Sequence, residues 1–409
     1  MSEWSITKLG DVLEITNGYA FKSVNFRSEP EAGCLPVLKI KNVANGDVHI
    51  NDVQYHHFEE KLSKYTAQKG DILISLTGNH PHAETQVVGA VSKLKMDIRA
   101  FVNQRVAKID TKPNLADKDY IYFALKEEGL SKYLASQSSG SANQANISKA
   151  DIEDLDIALP PLPEQKTIAS VLSSLDDKID LLHRQNKTLE AMAETLFRQW
   201  FIEEAKEDWE IFQLQDLAKL QIGRTPPRKE SHWFSDNTND MKWVSIKDLG
   251  AHGIFVTYSS EYLPISTIDH FNIPIIPEGT VMLSFKMTVG RVGIAIENMV
   301  SNEAIAQFQI KKRLTSELLY CFLKQFNFDT LGSTSSIVTA VNTALLKGIE
   351  IALPEDDLIQ EFTEQVKSYF DKVKANQLQI QTLEKLRDTL LPKLMSGEVR
   401  VQYQTEEVA

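Results

Sequence analysis

The longest regular pattern in this sequence is a seam of hydrophobic residues that steps by four and three positions. It consists of Ile168, Leu172, Leu175, Ile179, Leu182, Asn186, Leu189, Ala193, Leu196 and Trp200. This a/d spacing persists for more than four heptads, which predicts a helix packed along one narrow stripe. A Pro-rich segment at 159–163 precedes it, and proline suits only the first turn of a helix. We therefore expect a long helix over 161–206, with Asn186 fixing its register.

A second seam follows 194 residues later, at Phe362, Val366, Tyr369, Val373, Asn376, Ile380, Leu383, Arg387, Leu390 and Leu394. Asn376 and Arg387 interrupt it, and Pro392 and Gly397 are expected to weaken and end it. This pattern predicts a helix over 355–400, followed by a tail over 401–409.

Two helices with compatible seams in one chain should pair, and we predict an antiparallel coiled coil. A helix of about 40 residues is roughly 60 Å long, longer than ordinary globular helices. The alternative is two core helices that each pack on their own domain. The residues expected to carry the pairing are Leu172, Leu175, Ile179, Leu182, Asn186, Leu189, Leu196, Val366, Val373, Asn376, Ile380, Leu383 and Leu390.

The segments before the two helices contain short runs of β-branched residues bounded by Gly, Asn and Pro. Such runs lie at 37–40, 71–75, 87–91, 281–284 and 292–296, and they predict strands. Helices are expected near 116–136 and 315–326. We predict two α+β heads, each with a modest antiparallel sheet, over 1–160 and 207–354.

The chain is a diverged duplication with the order head, helix, head, helix. Trp4, Leu9, Asp11 and Gly18 all recur 205 residues later. The tetrapeptide Ile-Ala-Leu-Pro at 157–160 recurs unchanged at 351–354. An ordered series of matches along a whole chain indicates internal repeats. The separation drifts between the heads, so their loops differ in length.

Charge and composition narrow the possible functions. The net charge is −12, from 44 basic and 56 acidic residues, which is unfavourable for DNA binding because basic residues neutralise phosphates. A DNA reader would need local positive charge or a partner that supplies it. The two cysteines, Cys34 and Cys321, suit a reducing compartment. Without a run of about 18 apolar residues or a signal peptide, we expect a cytoplasmic protein that contacts no membrane.

Motifs for catalysis are absent from the sequence. It has no Gly-rich phosphate loop ending in Lys-Ser or Lys-Thr. It also lacks the Asn/Asp-Pro-Pro-Tyr/Phe tetrapeptide with which adenine methyltransferases hold a flipped base. His56, His57, His80 and His82 have neither Cys neighbours nor helical His spacing, so they predict no metal site. We expect a chain that is not an enzyme and binds no cofactor.

Several polar loops carry the residue types that read DNA. Arg, Asn and Gln contact base edges, whereas Ser, Thr and Lys suit phosphates. Ordinary surface loops have the same composition. The candidate residues are Lys39, Lys41, Asn42, Thr77, Asn79, His80, Ser139, Asn143, Arg224, Thr225, Arg228, Lys247, Lys286, Thr288, Arg291 and Ser335.

Specific motifs resemble one family. Leu-Pro-Pro-Leu-Pro-Glu-Gln at 159–165, followed by the heptad helix, is similar to the central conserved region of type I restriction-modification specificity subunits (HsdS). The segments 18–23, 69–75, 223–226 and 243–249 resemble that family's target recognition domains. The resemblance covers nearly the whole chain. The second Ile-Ala-Leu-Pro departs from it, because Glu-Asp-Asp follows instead of Pro-Leu-Pro-Glu-Gln.

The resemblance implies a non-catalytic subunit of a phage-defence system. Each head would read one half-site of a bipartite, asymmetric target in double-stranded DNA, and the helices would set an unread spacer. Two copies of a methyltransferase subunit (HsdM) would hold S-adenosylmethionine for adenine methylation. A motor-nuclease subunit (HsdR) would use ATP and Mg. The alternatives are a related modification system, a coiled-coil scaffold without DNA function, and an enzyme such as a lone methyltransferase.

Overall fold

The structure is a computed structural model that describes residues 4–43, 46–78, 87–137, 145–331 and 341–402. The chain divides into two compact units. Unit 1 comprises Met1–Asp177 and Glu384–Ala409, and unit 2 comprises Lys178–Leu383. Each unit therefore contains one head together with part of both long helices.

The first head is built from short strands and short helices. Its strands are β1 (Ser5–Lys8), β2 (Leu13–Asn17), β3 (Cys34–Leu38), β4 (Gln54–His57), β5 (Thr66–Ala67), β6 (Ile72–Ser75), β7 (Thr77–Gly78), β8 (Val91–Lys93), β9 (Ala100–Val102), β10 (Val106–Thr111), β11 (Ala145–Asn146) and β12 (Asp156–Leu159). Its helices are α1 (Leu9–Val12), α2 (Ile40–Val43), α3 (Lys118–Lys126), α4 (Glu128–Ser136) and α5 (Lys149–Glu153), with 3-10 turns at Ser23–Asn25 and Glu60–Tyr65.

The sheets of the first head bring its two ends together. The core sheet has the antiparallel order β2-β10-β6-β8. A second sheet has the order β4-β3-β9-β5, in which β3 and β9 run parallel. The core sheet is therefore antiparallel, as predicted, whereas the second sheet is mixed. β1 pairs antiparallel with β12, so that Ser5 lies opposite Leu159.

The helix predicted near 116–136 is divided into two. Glu127 has an extended backbone conformation (φ −60°, ψ 132°), and its side chain caps α4 by accepting from the Leu130 amide. Tyr120, Ile121 and Phe123 of α3 are buried in the same core as Ile72 and its neighbours in the central sheet. Sequence periodicity did not reveal this break, because the capping residue is not a proline or glycine.

The second head repeats this construction. Its strands are β13 (Glu210–Gln213), β14 (Ala218–Ile222), β15 (Met241–Val244), β16 (Phe255–Val256), β17 (Glu261–Leu263), β18 (Val281–Ser284), β19 (Val292–Ala295), β20 (Val300–Ser301), β21 (Ile305–Ile310) and β22 (Glu350–Leu353). Its helices are α7 (Leu214–Leu217), α8 (Ile246–Ala251), α9 (Ile265–Phe271), α10 (Ser316–Gln325) and α11 (Thr343–Lys347), with 3-10 turns at Ser231–Trp233 and Phe328–Leu331.

Strand pairing confirms the predicted duplication. The order β14-β21-β18-β19 matches β2-β10-β6-β8 of the first head. The parallel pair β15–β20 matches β3–β9, and the antiparallel pair β13–β22 matches β1–β12. The heads therefore share one framework, and the differences lie mainly in the connections.

Two long helices follow the heads, as predicted. They are α6 (Leu162–Arg198), which continues as a π turn over Gln199–Glu203, and α12 (Asp356–Met395). In unit 1, Leu172 of α6 shares a hydrophobic core with Leu394 of α12. In unit 2, Leu182 of α6 packs in one cluster with Ile380 of α12. Also in unit 2, the rings of Phe197 and Phe362 pack with their centres 6.2 Å apart. Within this unit, residue numbers therefore rise along α6 as they fall along α12, which confirms antiparallel pairing.

The seam departs from the prediction near the end of α6. Phe197 and Phe201 of α6 and the π turn are the fully packed residues, whereas Leu196 and Trp200 are only partly buried. The buried stripe shifts because a 3.6-residue helix drifts relative to a 3.5-residue repeat. In α12, Pro392 lies inside the helix, which continues to Met395 before Gly397 takes a positive φ of 76°.

Among the described residues, no helix is long and apolar enough to span a bilayer.

Candidate nucleic-acid interface

At one edge of the first head, the segment around Gly18 lies very close to the segment around Asn103. A Cβ on Gly18 would lie only 2.2 Å from the Asn103 carbonyl oxygen, so no other residue fits there without a shift. The Tyr19 amide donates to the Val102 carbonyl at 2.9 Å, and the Gln104 amide donates to the Tyr19 carbonyl at 3.0 Å. We call this region edge 1, and define it as residues 18–22, 39–42, 76–78 and 103–105.

The second head has the corresponding edge. A Cβ on Gly223 would lie 2.1 Å from the Ser301 carbonyl oxygen, and the Arg224 amide donates to that same oxygen at 2.9 Å. The Phe285 amide donates to the Ala304 carbonyl at 3.0 Å, which brings the β18–β19 loop to the same place. We call this region edge 2, and define it as residues 223–228, 245–247, 285–291 and 302–304.

The structure places the predicted residues of the first head in different environments. Lys41 is exposed. Lys39 is partly buried: its Nζ donates to Gln54 Oε1 at 2.6 Å and lies 4.5 Å from the Phe26 ring centre. Burial, and then the charge of Lys41, lowers the pKa of Lys39 below its ordinary value. Of these two lysines, Lys41 is the better placed for a phosphate.

Two predicted contacts in the first head are corrected by burial. Asn42 is fully buried. Its Oδ1 accepts from the Lys39 amide at 3.0 Å, and its Nδ2 donates to the Asn51 carbonyl at 3.1 Å. Thr77 is also buried, in the short pair β7–β11. Both residues therefore lie inside the protein, beneath the surface of edge 1. The predicted residues Asn79, His80, Ser139 and Asn143 lie outside the described residues.

Arg224, Thr225 and Arg228 of the second head lie along one segment of edge 2. Arg224 is exposed, and its Nη1 donates to the Phe271 carbonyl at 2.8 Å. Thr225 hydrogen-bonds Glu303. The Arg228 guanidinium stacks 4.4 Å from the Trp243 ring centre and donates to Glu261 at 2.5 Å. Arg228 is thus held in place by both an aromatic ring and a carboxylate.

The other predicted residues of the second head divide into exposed and supporting groups. Lys247, Lys286 and Thr288 are exposed. Arg291 is partly buried, and its Nη1 donates to the Ile246 carbonyl at 2.7 Å. Its guanidinium also fills the space beside Gly250, where a Cβ would approach it to 2.3 Å. Arg291 therefore joins the β18–β19 loop to α8. Ser335 lies outside the described residues.

Sequence reasoning missed three exposed residues of edge 1, namely Tyr19, Gln104 and Arg105. The Leu76 amide donates to the Arg105 carbonyl at 2.9 Å, so Arg105 lies at the end of β6. The available signal was Asn-Gln-Arg at 103–105, a polar run between two apolar strands. That signal has no periodicity, and only the sheet pairing brings it next to Tyr19.

Polar groups lie within the seam of the long helices. In unit 2, Asn376 Nδ2 donates to Asn186 Oδ1 at 2.8 Å and to Gln185 Oε1 at 2.9 Å. In unit 1, Arg387 Nη1 donates to Asp176 Oδ1 at 3.0 Å. The two seam interruptions, Asn376 and Arg387, thus each have a partner on α6. A buried polar pair of this kind favours one register over its neighbours.

Within the described part of the chain, no group of three or more His, Cys, Asp or Glu residues could hold a metal ion. His56 is buried against Phe21, with ring centres 4.8 Å apart. His80 and His82 lie outside the described residues.

Comparison with known proteins shows which family the chain belongs to. The sequence profile of the Type I restriction modification DNA specificity domain matches residues 1–191 and 206–385. The chain therefore belongs to the family of type I restriction-modification specificity subunits. This result confirms the resemblance drawn from the sequence motifs.

Relatives that match this chain along nearly their whole length support the assignment. The MjaIX specificity subunit of Methanocaldococcus jannaschii is 26% identical over 436 residues, covering 98% of this chain and 94% of the relative. The HindI specificity subunit of Haemophilus influenzae is 22% identical over 481 residues, covering 98% and 100%. The S subunit of a type I system from M. genitalium shares the fold, with a TM-score of 0.60, 16% identity and 96% of each chain covered.

Membership of the family settles the broad class of function. The chain is a specificity subunit, the part of a type I restriction-modification system that recognises the DNA target. It is a non-catalytic subunit, since methyl transfer and cleavage belong to other subunits of such systems. Of the alternatives drawn from the sequence, neither the scaffold without DNA function nor the lone methyltransferase agrees with this result.

Proposed function

We propose that the chain reads a bipartite, asymmetric target in double-stranded DNA, with one half-site at each edge. The observation that carries the proposal is that one framework presents unlike side chains at equivalent positions. Tyr19 of edge 1 corresponds to Arg224 of edge 2, since each donates its amide across the same strand end. Arg105 corresponds to Ala304 by the register of the parallel strand pairs. Different side chains on one framework favour different base sequences.

Local charge supports DNA binding despite the net charge of −12. Edge 1 exposes Lys41 and Arg105, and edge 2 exposes Arg224, Lys247 and Lys286. DNA responds to the potential of the surface it meets, not to the net charge of the whole chain. We propose that the exposed predicted residues contact DNA, and that Asn42, Thr77 and Arg291 position the loops that carry them.

The long helices are proposed to dock two copies of HsdM. Several positions on α6 and α12 that are 194 residues apart are both exposed and carry the same residue type or, in one pair, a similar apolar residue. Exposed residues diverge after duplication unless a partner binds them, so a repeated exposed face fits a partner present twice. The matched pairs are Ser174 and Ser368, Asp177 and Asp371, Lys178 and Lys372, Gln185 and Gln379, Thr188 and Thr382, Met192 and Leu386, and Thr195 and Thr389.

The proposed complex works in the cytoplasm. HsdM would hold S-adenosylmethionine and methylate adenine within each half-site. HsdR would join through the assembled complex and supply ATP- and Mg-dependent translocation and cleavage. This chain would contribute target choice and the spacing between half-sites, and would need no cofactor of its own.

The first experiment is genome-wide mapping of methylated adenine in the native host, with and without the gene. The proposal expects methylation to disappear at one bipartite motif with a fixed unread spacer. If the map does not change, the chain and its HsdM should be produced together in a host that lacks adenine methylation. The absence of any new motif there would contradict the proposal.

A head exchange tests whether each edge reads its own half-site. The exchange should cover residues 9–155, because β1 pairs with β12 and both strands then remain intact. Replacing this segment with that of another family member should change one half-site and leave the other as it was. A change in both half-sites would contradict the model of two independent readers.

A further inference from the structure

The loop between β18 and β19 carries an exposed methionine in an unusual backbone conformation. The side chain of Met287 is 96% exposed, and its φ is +60°. The Thr288 amide donates to the Lys286 carbonyl at 2.7 Å, so Met287 is the central residue of a three-residue turn. Such a turn is rare and strained when its central residue has a positive φ.

A buried serine fixes this turn. Ser284 is fully buried, and its hydroxyl donates to the Thr288 carbonyl at 2.6 Å and accepts from the Arg291 amide at 3.0 Å. The Gly290 amide donates to the Ser284 carbonyl at 3.0 Å. The loop is therefore bonded at both sides of Met287. Strain that the surrounding structure maintains is a sign of function, and here it holds an apolar side chain out into solvent.

The surroundings of Met287 favour DNA as its partner. The loop from Lys286 to Arg291 contains two basic residues and no carboxylate. Phe285, which directly precedes the loop, donates its amide to the Ala304 carbonyl of edge 2, and Arg291 donates to the Ile246 carbonyl next to Lys247. A methionine among positive charges gains free energy only when something apolar covers it. The faces of DNA base pairs are apolar, and methionine is one of the side chains that insert between base steps.

We propose that Met287 is a wedge that inserts between adjacent base pairs within the half-site read by edge 2. This inference rests on the proposed function. Lys286 would hold the neighbouring phosphates while the strained turn directs Met287 into the groove. Insertion unstacks a base step, and flexible pyrimidine–purine steps open most readily. Met287 would then contribute specificity through the deformability of the DNA as well as through direct contact.

The test uses the assembled complex with HsdM and a duplex that carries the mapped target. 2-Aminopurine is placed at each position of the half-site in turn, because its fluorescence rises when stacking is lost. Wild type should show a rise at one step. Met287→Ala and Met287→Gly should abolish that rise and weaken target binding on the order of tenfold. Met287→Leu should retain both, and binding to unrelated duplexes should not change.

Ile211→Ala is the matched control, since it removes another exposed apolar side chain of unit 2, 63% exposed and outside edge 2. It should leave fluorescence and affinity unchanged. Met287→Ala with wild-type fluorescence and affinity would overturn the wedge. Loss of HsdM from the Met287→Ala complex on gel filtration would also overturn it, by assigning the loop to a protein contact. Failure of wild type to prefer its target would instead contradict the proposed function.

Discussion

Asn42 of the first head and Asp248 of the second occupy corresponding positions at the start of α2 and α8. Asn42 donates its amide to the Asn51 carbonyl, whereas Asp248 accepts from the amide and hydroxyl of Ser260 at 3.1 and 2.7 Å. Each side chain matches the loop it faces: a donor meets a carbonyl, and an acceptor meets two donors. The heads have thus diverged in their loops while the buried anchors changed with them.

The junctions between head and helix differ more strongly. In unit 1, the fully buried Glu164 accepts two bonds from Arg400, at 2.6 and 2.7 Å, and one from Trp4 Nε1 at 3.3 Å. In unit 2, Arg313 bonds Glu210 and Asp356, whose side chains are 68% and 74% exposed. The first junction buries its charge, whereas the second keeps its charge at the surface. A buried ion pair should be far more sensitive to loss of one partner.

The largest effect is expected from changing the length of the helices. Deleting 177–183 from α6 alone should abolish target methylation, because Asp176–Arg387 and Asn186–Asn376 can no longer both form. Deleting 379–385 from α12 as well should restore both contacts. Seven residues span about 10 Å of helix, or about three base pairs at roughly 3.4 Å each. The doubly deleted chain should therefore methylate a target whose spacer is shorter by about three base pairs.

Methylation mapping of both variants provides the measurement. The half-sites should be the same in the wild type and in the doubly deleted chain. An unchanged spacer in that chain would show that the helices do not measure the distance. Full activity of the single deletion would show that the seam contacts do not set the register.

The next largest effect is expected on the free energy of unfolding, when a charged residue is removed from one of the two junctions between head and helix. Glu164→Ala removes the fully buried acceptor of the Arg400 and Trp4 hydrogen bonds and should lower the free energy of unfolding by about 3 kcal/mol. Arg313→Ala should cost about 1 kcal/mol or less. Denaturant unfolding gives both values, and hydrogen exchange should localise the first loss to unit 1. Glu398→Ala, which removes a 65% exposed side chain, serves as the control. Equal costs at the two junctions would remove the distinction between them.

Substitution of the glycine at one edge should affect binding to only one of the two half-sites. Gly18→Ala and Gly223→Ala place a Cβ near 2 Å from a carbonyl oxygen, and such overpacking costs about 2 kcal/mol. Gly18→Ala should weaken the recognition of one half-site. Gly223→Ala should weaken the recognition of the other half-site. Duplexes with one half-site scrambled measure this selectivity. Gly348→Ala, with its nearest neighbour at 3.6 Å, should be nearly neutral.

The smallest effect concerns two tyrosines at corresponding positions of α3 and α10. The Tyr320 hydroxyl donates to the Glu190 carboxylate at 2.6 Å, whereas the Tyr122 hydroxyl donates to the Gly46 carbonyl at 3.3 Å. Burial, and then the Glu190 charge, raises the pKa of Tyr320 well above its ordinary value, so it remains a donor at alkaline pH. Tyr320→Phe should cost about 1.5 kcal/mol and Tyr122→Phe about 0.5 kcal/mol in thermal unfolding. A larger cost for Tyr122→Phe would contradict this ranking.

Local patterns predicted the elements of this fold well. The heptad seam predicted the long helices α6 and α12, and α12 ends just before Gly397, as expected. Runs of β-branched residues located β6, β18 and β19. The divided helix around Glu127 was missed, because its extended conformation depends on a side-chain cap and has no composition signal.

The candidate interface was predicted only in part. Residue type selected Arg224 and Lys247, which are exposed, but it also selected Asn42, which is buried. Residue type cannot tell a base-contacting amide from one that anchors a loop, since both need hydrogen-bond partners. Arg105 was missed because its neighbour Tyr19 lies far away in sequence and close only in the sheet.

The sequence by itself determined the duplication, the two long helices and their antiparallel pairing, because both the heptad periodicity and the order of the repeats can be read directly along the chain. Only the tertiary structure decided which residues meet at the edges, which anchors are buried, and that Arg387 has Asp176 as its partner. Those contacts join residues many positions apart, and they follow from strand pairing and from the register of the helices. The turn at Met287 was also decided by the structure, because neither the positive φ of this residue nor the hydrogen bond from the buried Ser284 to the Thr288 carbonyl has a signal in the sequence.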